Sequence, residues 1–212
     1  MSSKKISSSE EFKRCVNFHG HTCPGIAIGF QAARALMARL GVRRAPDEEL
    51  VAVVETDACG ADAIQVMTGC TFGKGNFIFK NYGKHAFSLS DRKQGRTVRV
   101  CLRTDALRPS PDHRALIEKV RSGKATREEK DQYGRLQQDR IESILAADPE
   151  SLFKVEELPP FVPPEAKIVE SVLCAFCGEL TKIDLLRDVD GKKACIPCIQ
   201  KIGFQVPTAE RG

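Results

Sequence analysis

The first third of the chain contains two apolar segments whose patterns predict a buried helix and a buried strand. Residues 26–40 are apolar and rich in alanine, with Pro24 where a first helical residue belongs and Gly41 where a helix ends. Residues 50–55 form a continuous run rich in β-branched side chains, which favours a strand buried on both faces. We therefore expect a central helix and a central strand in one hydrophobic core.

Small residues recur at every fourth position of this predicted helix, at Gly25, Gly29 and Ala33. Positions four apart lie on the same face of an α-helix, so these residues leave a strip without bulky side chains. We expect the backbone of another element to pack closely against this strip.

The pattern over residues 57–149 predicts a second helix, three strands and a helical hairpin, in that order. Asp57 is expected to cap a second helix that runs to Gly69. Three candidate strands follow, at residues 77–80, 85–90 and 96–102. In the last of them apolar and polar residues alternate, as in a half-buried antiparallel strand. A helical hairpin opens at Pro109, and Thr126 with Glu129 predicts a capping box for its second helix.

A proline-rich segment marks the clearest domain boundary. Four of the seven residues in the segment 158–164 are prolines, which makes it a stiff linker. We predict an α+β core domain over residues 1–157, a linker over residues 158–168 and a small zinc-binding domain over residues 169–212.

Four cysteines in the small domain have the spacing of a structural zinc site. They form two Cys-x-x-Cys pairs with 17 residues between them: Cys174, Cys177, Cys195 and Cys198. Two-residue spacing lets both thiolates of a pair reach one ion from a tight turn, and four thiolates suit tetrahedral Zn²⁺. The expected order of knuckle, hairpin and helix is similar to a treble-clef finger. Redox-active cysteine pairs and an iron–sulfur centre are the alternatives.

Composition narrows the classes of function. Of the 212 residues, 42% are hydrophobic and 29% charged, as in a typical globular protein. No apolar run approaches the roughly 18–20 residues of a membrane span, and the polar start lacks the apolar region of a secretory signal. We therefore expect a cytoplasmic protein that does not contact a membrane. The net charge of +5 is too small to indicate a nucleic-acid-binding protein.

The segment before the first predicted helix carries the most distinctive chemistry of the core domain. A proline favours an extended backbone before it, and in an extended chain residues two apart point to the same side. His19, His21 and Cys23 would therefore offer two imidazoles and a thiol on one face. Cys23 would also stand at the positive end of the following helix, which favours its thiolate form.

The start of the second predicted helix repeats this arrangement. Cys59 lies in its first turn, close to Asp62, and is expected to join Cys23 in one cleft as a metal ligand or catalytic thiolate. Cys70 lies in the loop beyond this helix, where a ligand and a core residue are equally compatible with the pattern. Lys74 of the same loop would add a positive charge to the cleft, although the loop lacks the glycine spacing of a nucleotide-binding P-loop.

Three blocks of this sequence, taken together, resemble the FmdE family, which takes its name from one of the subunits of molybdenum formylmethanofuran dehydrogenase. The blocks cover residues 18–25, 57–65 and 68–76. The resemblance implies an α+β core of helices packed on a mostly antiparallel sheet, a homodimer, and the grouping of the His and Cys residues in a metal-binding or active site. Some members also carry a C-terminal treble-clef finger.

The same resemblance implies an accessory protein of a molybdenum or tungsten formylmethanofuran dehydrogenase-type enzyme, with zinc in the finger and a second metal ion in the core. The expected partners are subunits of that enzyme and a second copy of this chain, packed through the strip at Gly25, Gly29 and Ala33. One alternative is a free-standing enzyme that uses the core metal or a thiolate on a small molecule. A weaker alternative is a nucleic-acid-binding regulator, because aromatic residues are few and the positive charge is mild.

Overall fold

The computed structural model describes residues 6–7, 9–161, 163–164 and 169–203. The chain divides into two compact units, Met1–Glu165 and Ala166–Gly212. The division falls within the segment 158–168, where the prolines predict a linker.

The larger unit is built on a sheet of five strands. These are β1 (Leu50–Val54), β2 (Phe77–Phe79), β3 (Ala86–Asp91), β4 (Arg96–Leu102) and β5 (Phe153–Leu158), and their order across the sheet is β2-β1-β3-β4-β5. β2 runs parallel to β1, whereas the other three pairings are antiparallel. The predicted α+β class with a mostly antiparallel sheet is confirmed.

Strand β5 is absent from the sequence prediction although its pattern indicates a strand. Apolar Phe153 and Val155 alternate with polar Lys154 and Glu156, as in a half-buried strand, and Phe153 is fully buried whereas Lys154 is exposed. The alternation is short and directly precedes the prolines that begin at Pro159, so the sequence pattern around it predicts a linker instead of a strand.

Six helices of the larger unit lie wholly within the described residues: α1 (Glu10–His19), α2 (Pro24–Leu40), α3 (Gly60–Thr68), α4 (Pro111–Arg121), α5 (Arg127–Ala146) and α6 (Pro149–Leu152). Helix α2 begins at Pro24 and is capped at its C-terminus by Gly41 as predicted, and most of its residues are buried. Helix α1 is not predicted, although Ser9 caps it and Phe12 and Cys15 face the core. Within the described residues, no helix combines the length and the apolar character that crossing a membrane requires.

Helices α2 and α3 cross so closely that only glycine fits at the contact. A Cβ atom on Gly29 would lie 2.2 Å from the carbonyl oxygen of Gly60 and 2.5 Å from its Cα. A Cβ atom on Gly25 would lie 3.0 Å from Cβ of Cys59. The small-residue strip of α2 is therefore covered at Gly25 and Gly29 by the start of α3 of the same chain, and it is not free to contact a second copy. The homodimer itself stays a prediction.

The first part of the proline-rich segment lies on the core instead of bridging the two units as a free linker. The backbone N–H of Phe161 donates to Thr97 Oγ1 on β4 at 3.0 Å, and Arg92 donates to the carbonyl of Pro163. The ammonium group of Lys80 lies 5.1 Å from the centre of the Phe161 ring. The core unit thus extends beyond residue 157, the boundary predicted from the sequence.

The smaller unit consists of two short hairpins and a helix. The hairpins are formed by β6 (Ser171–Leu173) with β7 (Leu180–Lys182) and by β8 (Arg187–Val189) with β9 (Lys192–Ala194), and α7 (Ile196–Lys201) follows. Asp190 and Gly191 make the two-residue turn between β8 and β9, both with positive φ. A 3₁₀ turn, Ile183–Leu185, precedes β8.

Candidate metal centres

The end of helix α1 and a glycine turn bring the two histidines of the core to the start of α2. His19 is the last residue of α1, and Gly20 reverses the chain in the left-handed conformation, with φ of 90°. This segment is therefore not extended throughout, as Pro24 alone would suggest. The rings of His19 and His21 nevertheless lie together, with their centres 4.4 Å apart.

Cys23 is the N-cap residue of helix α2. Its backbone is extended, with φ of −149° and ψ of 164°, and its Sγ accepts a hydrogen bond from the N–H of Ile26 at 3.4 Å. A sulfur at this position meets the unpaired N–H groups and the positive end of the helix, which favour a negative charge. The geometry that the sequence predicts for Cys23 is present.

Cys59 lies beside Cys23 because the two helix starts meet at Gly25. The sulfurs of Cys59 and Cys23 are 3.5 and 3.6 Å from the point that a Cβ of Gly25 would occupy. The two sulfurs are therefore closer than the ~10 Å beyond which one ion could not bind both, given metal–ligand bonds of about 2 Å. The absence of a side chain at Gly25 makes this approach possible.

Asp62 orients one imidazole of the group. The Nδ1 atom of His19 and the Oδ2 atom of Asp62 are 2.8 Å apart, and the His19 side chain is largely buried. When Nδ1–H donates to the carboxylate, the lone pair of Nε2 is free, and this atom lies 3.9 Å from the Cys23 sulfur. A carboxylate that fixes the tautomer of a histidine in this way is typical of metal sites.

The spacing of the donor atoms fits a transition metal ion. One ligand atom from each of His19, His21 and Cys23 lies within 4.8 Å of the other two. Ligands around tetrahedral zinc are about 3.3–3.8 Å apart for bonds of about 2.0–2.3 Å, so small side-chain rotations would complete the centre. Three protein ligands leave a fourth position, which Cys59 or an exogenous group can take.

The pKa of Cys59 differs from the sequence expectation. Burial raises the pKa of its thiol above the ordinary value, and the neighbouring Cys23 raises it further. Cys59 stands at the N-cap position of α3 but makes no capping hydrogen bond, and Asp57 does not cap this helix as predicted. Without a metal, its surroundings therefore favour the neutral thiol of Cys59.

Two residues assigned to this cleft lie elsewhere. Cys70 is fully buried beyond the far end of α3, which is about 13 Å long, and its thiol donates to the carbonyl of Leu50. Lys74 is held by the carbonyl of Asp47, before the start of β1. Both belong to the end of the sheet opposite the histidines, because α3 runs back along β1 before the glycine loop begins. Cys70 is a core residue.

The second candidate centre is formed by the four cysteines of the smaller unit. The sulfur atoms of Cys174, Cys177, Cys195 and Cys198 all lie within 4.8 Å of one another. Gly178, with φ of 73°, closes the turn after the first pair, and Cys195 precedes helix α7. This arrangement fits a four-cysteine zinc finger.

Hydrogen bonds prepare the finger sulfurs for a cation. The N–H of Cys195 donates to Cys174 Sγ at 3.3 Å, and this bond together with the N–H of Cys177 lowers the pKa of Cys174 to about 6. A hydrogen bond with the side chain of Cys195, followed by burial, raises the pKa of Cys198 to about 12. Four thiolates cannot coexist here without a metal, so binding a divalent ion at neutral pH must release protons.

Comparison with known proteins identifies the family. The family model for FmdE, described as belonging to the molybdenum formylmethanofuran dehydrogenase operon, matches residues 18–154. The chain belongs to the FmdE family. The match contains every donor of the core centre, whereas the four finger cysteines lie outside it.

Two relatives add to this identification. The chain is 33% identical over 186 residues to a probable S-adenosyl-L-methionine-binding protein of Archaeoglobus fulgidus, a match that covers 82% of this chain and 50% of that protein. It thus spans half the length of that relative. An FmdE-like protein of the tungsten formylmethanofuran dehydrogenase type, from Syntrophus aciditrophicus, has a similar fold, with a TM-score of 0.61 and 24% identity over 94% of this chain and 97% of the other.

Proposed function

We propose that this FmdE-family protein binds a divalent transition metal through His19, His21 and Cys23 and serves as an accessory protein of a molybdenum or tungsten formylmethanofuran dehydrogenase-type enzyme. The hydrogen bond between His19 and Asp62 carries the metal-binding part of the proposal, because it fixes the imidazole with Nε2 ready to bind. The finger would hold a second, structural zinc. The role beside a larger enzyme rests on the family and its description.

Substitution of Asp62 by asparagine tests the core centre. We expect the metal affinity of this centre to fall about 10- to 100-fold, because carboxylates that orient a metal-binding histidine contribute that much. Cobalt or zinc titration against a chelator of known affinity, on the full chain with the finger already loaded, gives the measurement.

Asp57→Asn provides the matched control, since Asp57 is an exposed carboxylate only two residues before Cys59 and does not cap helix α3. It removes the same charge from the same neighbourhood and should leave the affinity unchanged. Equal affinities of the Asp62 variant and the unmodified protein would contradict the proposed role of the carboxylate.

A free-standing enzyme is the second candidate, and one observation favours it. The compact donor set contains three ligands, as in catalytic metal sites that keep a position for substrate. A bound metal would supply Lewis-acid chemistry there, while the thiol of Cys59 would stand beside the open position. Recovery of molybdenum- or tungsten-enzyme subunits with the tagged chain from native lysate supports the accessory role, and their absence favours the enzyme.

Binding of S-adenosylmethionine does not follow from the similarity to the Archaeoglobus protein. The match covers only 50% of that protein, and its name does not say which half binds the ligand. Within the described residues, neither the core centre nor the finger contains a feature directed at a sulfonium ligand.

A further inference from the structure

A wide cleft lies on the core unit, away from the histidine and cysteine group. Its volume is about 1200 Å³, and it lies against the first half of α1, the C-terminal part of α2 and the edge strand β5. Arg34, the first α2 residue along its wall, is eleven residues beyond Cys23, which corresponds to about 17 Å along a helix. The cleft is therefore distinct from the metal centre.

Guanidinium groups dominate the lining of this cleft. Six arginines and four carboxylates line it. The arginines are Arg14, Arg34, Arg39, Arg43, Arg44 and Arg103. Among the described residues, only Arg39 of these six forms an ion pair with a carboxylate, that of Glu157. The arginines outnumber the carboxylates by two, so the lining keeps a net positive charge. Such a concave surface attracts anions.

Arg34 is held in place before any ligand arrives. Its Nη1 donates to the side-chain oxygen of Gln31 at 2.8 Å, and its guanidinium lies 5.9 Å from the centre of the Phe30 ring. Gln31 is itself fully buried, and its amide donates to three carbonyls at the end of α5, those of Ile144, Leu145 and Ala147. A buried amide that serves to hold one arginine reduces the entropy lost when that arginine binds a ligand.

Two further arginines are anchored by one nitrogen only. Nε of Arg44 donates to the carbonyl of Val66 at 3.1 Å, and Nε of Arg103 donates to the carbonyl of Glu150 at 3.3 Å. Both leave their terminal nitrogens without a hydrogen bond to the described residues. The planar guanidinium presents these nitrogens as a fork that matches the two oxygens of a carboxylate or phosphate.

Apolar side chains complete the wall between the arginines. Met37, Val42 and Met67 contribute to it on the helical side, and Phe153 and Val155 contribute on the side of β5. A simple inorganic ion would not use this surface. The combination suits a ligand with an apolar body and several anionic groups.

We propose that this cleft binds an organic anion carrying at least two phosphate or carboxylate groups. Arg34, which is already held in position, binds one anionic group of the ligand. Arg14, Arg43 and Arg44 contact its other anionic groups. The cleft volume accommodates a ligand of cofactor size, and the apolar wall contacts its body. This binding is independent of the metal in the core centre.

Calorimetric titration of the metal-loaded full chain tests the proposal with three probes: inorganic pyrophosphate, citrate and ADP. Pyrophosphate and citrate distinguish phosphate from carboxylate recognition, and tighter binding of ADP than of pyrophosphate reports use of the apolar wall. The double variant R14A/R43A should weaken binding about tenfold or more, because charge-assisted contacts are lost. Neither residue makes an ion pair within the described fold, so the variant should fold normally.

R127A/R135A is the matched control, since Arg127 and Arg135 are exposed arginines on α5 outside the cleft, and it should bind each probe as the unmodified chain does. Binding of any probe with this dependence on the cleft arginines supports the proposal. It is overturned if none of the probes binds at low salt, or if R14A/R43A and R127A/R135A bind equally well. Binding of duplex DNA in place of all three probes also overturns it. Metal content, measured on the same samples, tests the core centre separately.

Discussion

Replacing Gly29 by alanine is expected to destabilise the core by about 3 kcal/mol or more, the upper part of the range for overpacked cores. The added Cβ would meet the backbone of Gly60 at three atoms, the oxygen at 2.2 Å, Cα at 2.5 Å and the carbonyl carbon at 2.7 Å. Backbone atoms cannot rotate away as a flexible side chain can, so α2 and α3 must move apart. Domains of this size have only about 5–15 kcal/mol of stability.

Gly134→Ala is the control for this substitution. Gly134 lies inside helix α5, and a Cβ there would meet nothing within 4 Å. The same chemical change should raise the free energy of unfolding by about 0.5–1 kcal/mol, because alanine loses less conformational freedom in a helix. Urea denaturation followed by circular dichroism measures the free energy of unfolding, which should fall in the Gly29 variant and rise in the Gly134 variant. A Gly29 variant as stable as the parent chain would contradict the close crossing of α2 and α3.

The same crossing couples stability to the core centre. Cys59 immediately precedes Gly60, so a displacement of α3 by an alanine at Gly29 also moves this sulfur away from Cys23. We expect the folded fraction of the Gly29 variant to lose any contribution of Cys59 to metal binding. His19 and Asp62 would be separated by the same movement, since they lie on α1 and α3.

The small-residue strip shows how far the sequence alone predicts this fold. The four-residue spacing of Gly25 and Gly29 correctly indicates that another backbone packs against α2, because this inference needs only the local periodicity of the helix. The identity of the approaching element depends on contacts about thirty residues apart, and periodicity cannot distinguish a partner chain from α3. Elements with strong local signals, such as α2 with its proline and glycine ends, are predicted closely.

The candidate site is predicted in part for the same reason. Cys23 and Cys59 stand at helix starts that the sequence identifies, and these starts meet. Cys70 and Lys74 are close in sequence to the second helix, which suggests the same cleft, but that helix carries the chain to the opposite end of the sheet. The pairing of His19 with Asp62 spans 43 positions. It also depends on α1, which is not predicted because it follows a polar, serine-rich segment.

Removal of the finger metal is expected to unfold residues 169–203 while the core unit stays folded. The apolar cluster of the smaller unit contains Leu186 and two of the ligands themselves, Cys174 and Cys195, so little buried surface remains to hold it. Structural zinc supplies about 10–16 kcal/mol in finger peptides, more than such a cluster can replace. The core has a separate and much larger hydrophobic cluster.

Cys177→Ser tests this expectation in the full chain. Serine cannot act as the fourth thiolate, so zinc content should fall by the ion assigned to the finger, and amide exchange over residues 169–203 should become fast. Cys101→Ser is the control, because Cys101 lies on β4 outside both candidate centres and should retain all metal. Acidification should have the same effect as the Cys177 variant, since protons compete with the metal for the thiolates. Retention of the finger zinc and of slow exchange in the Cys177 variant would show that the four sulfurs do not act together on one ion.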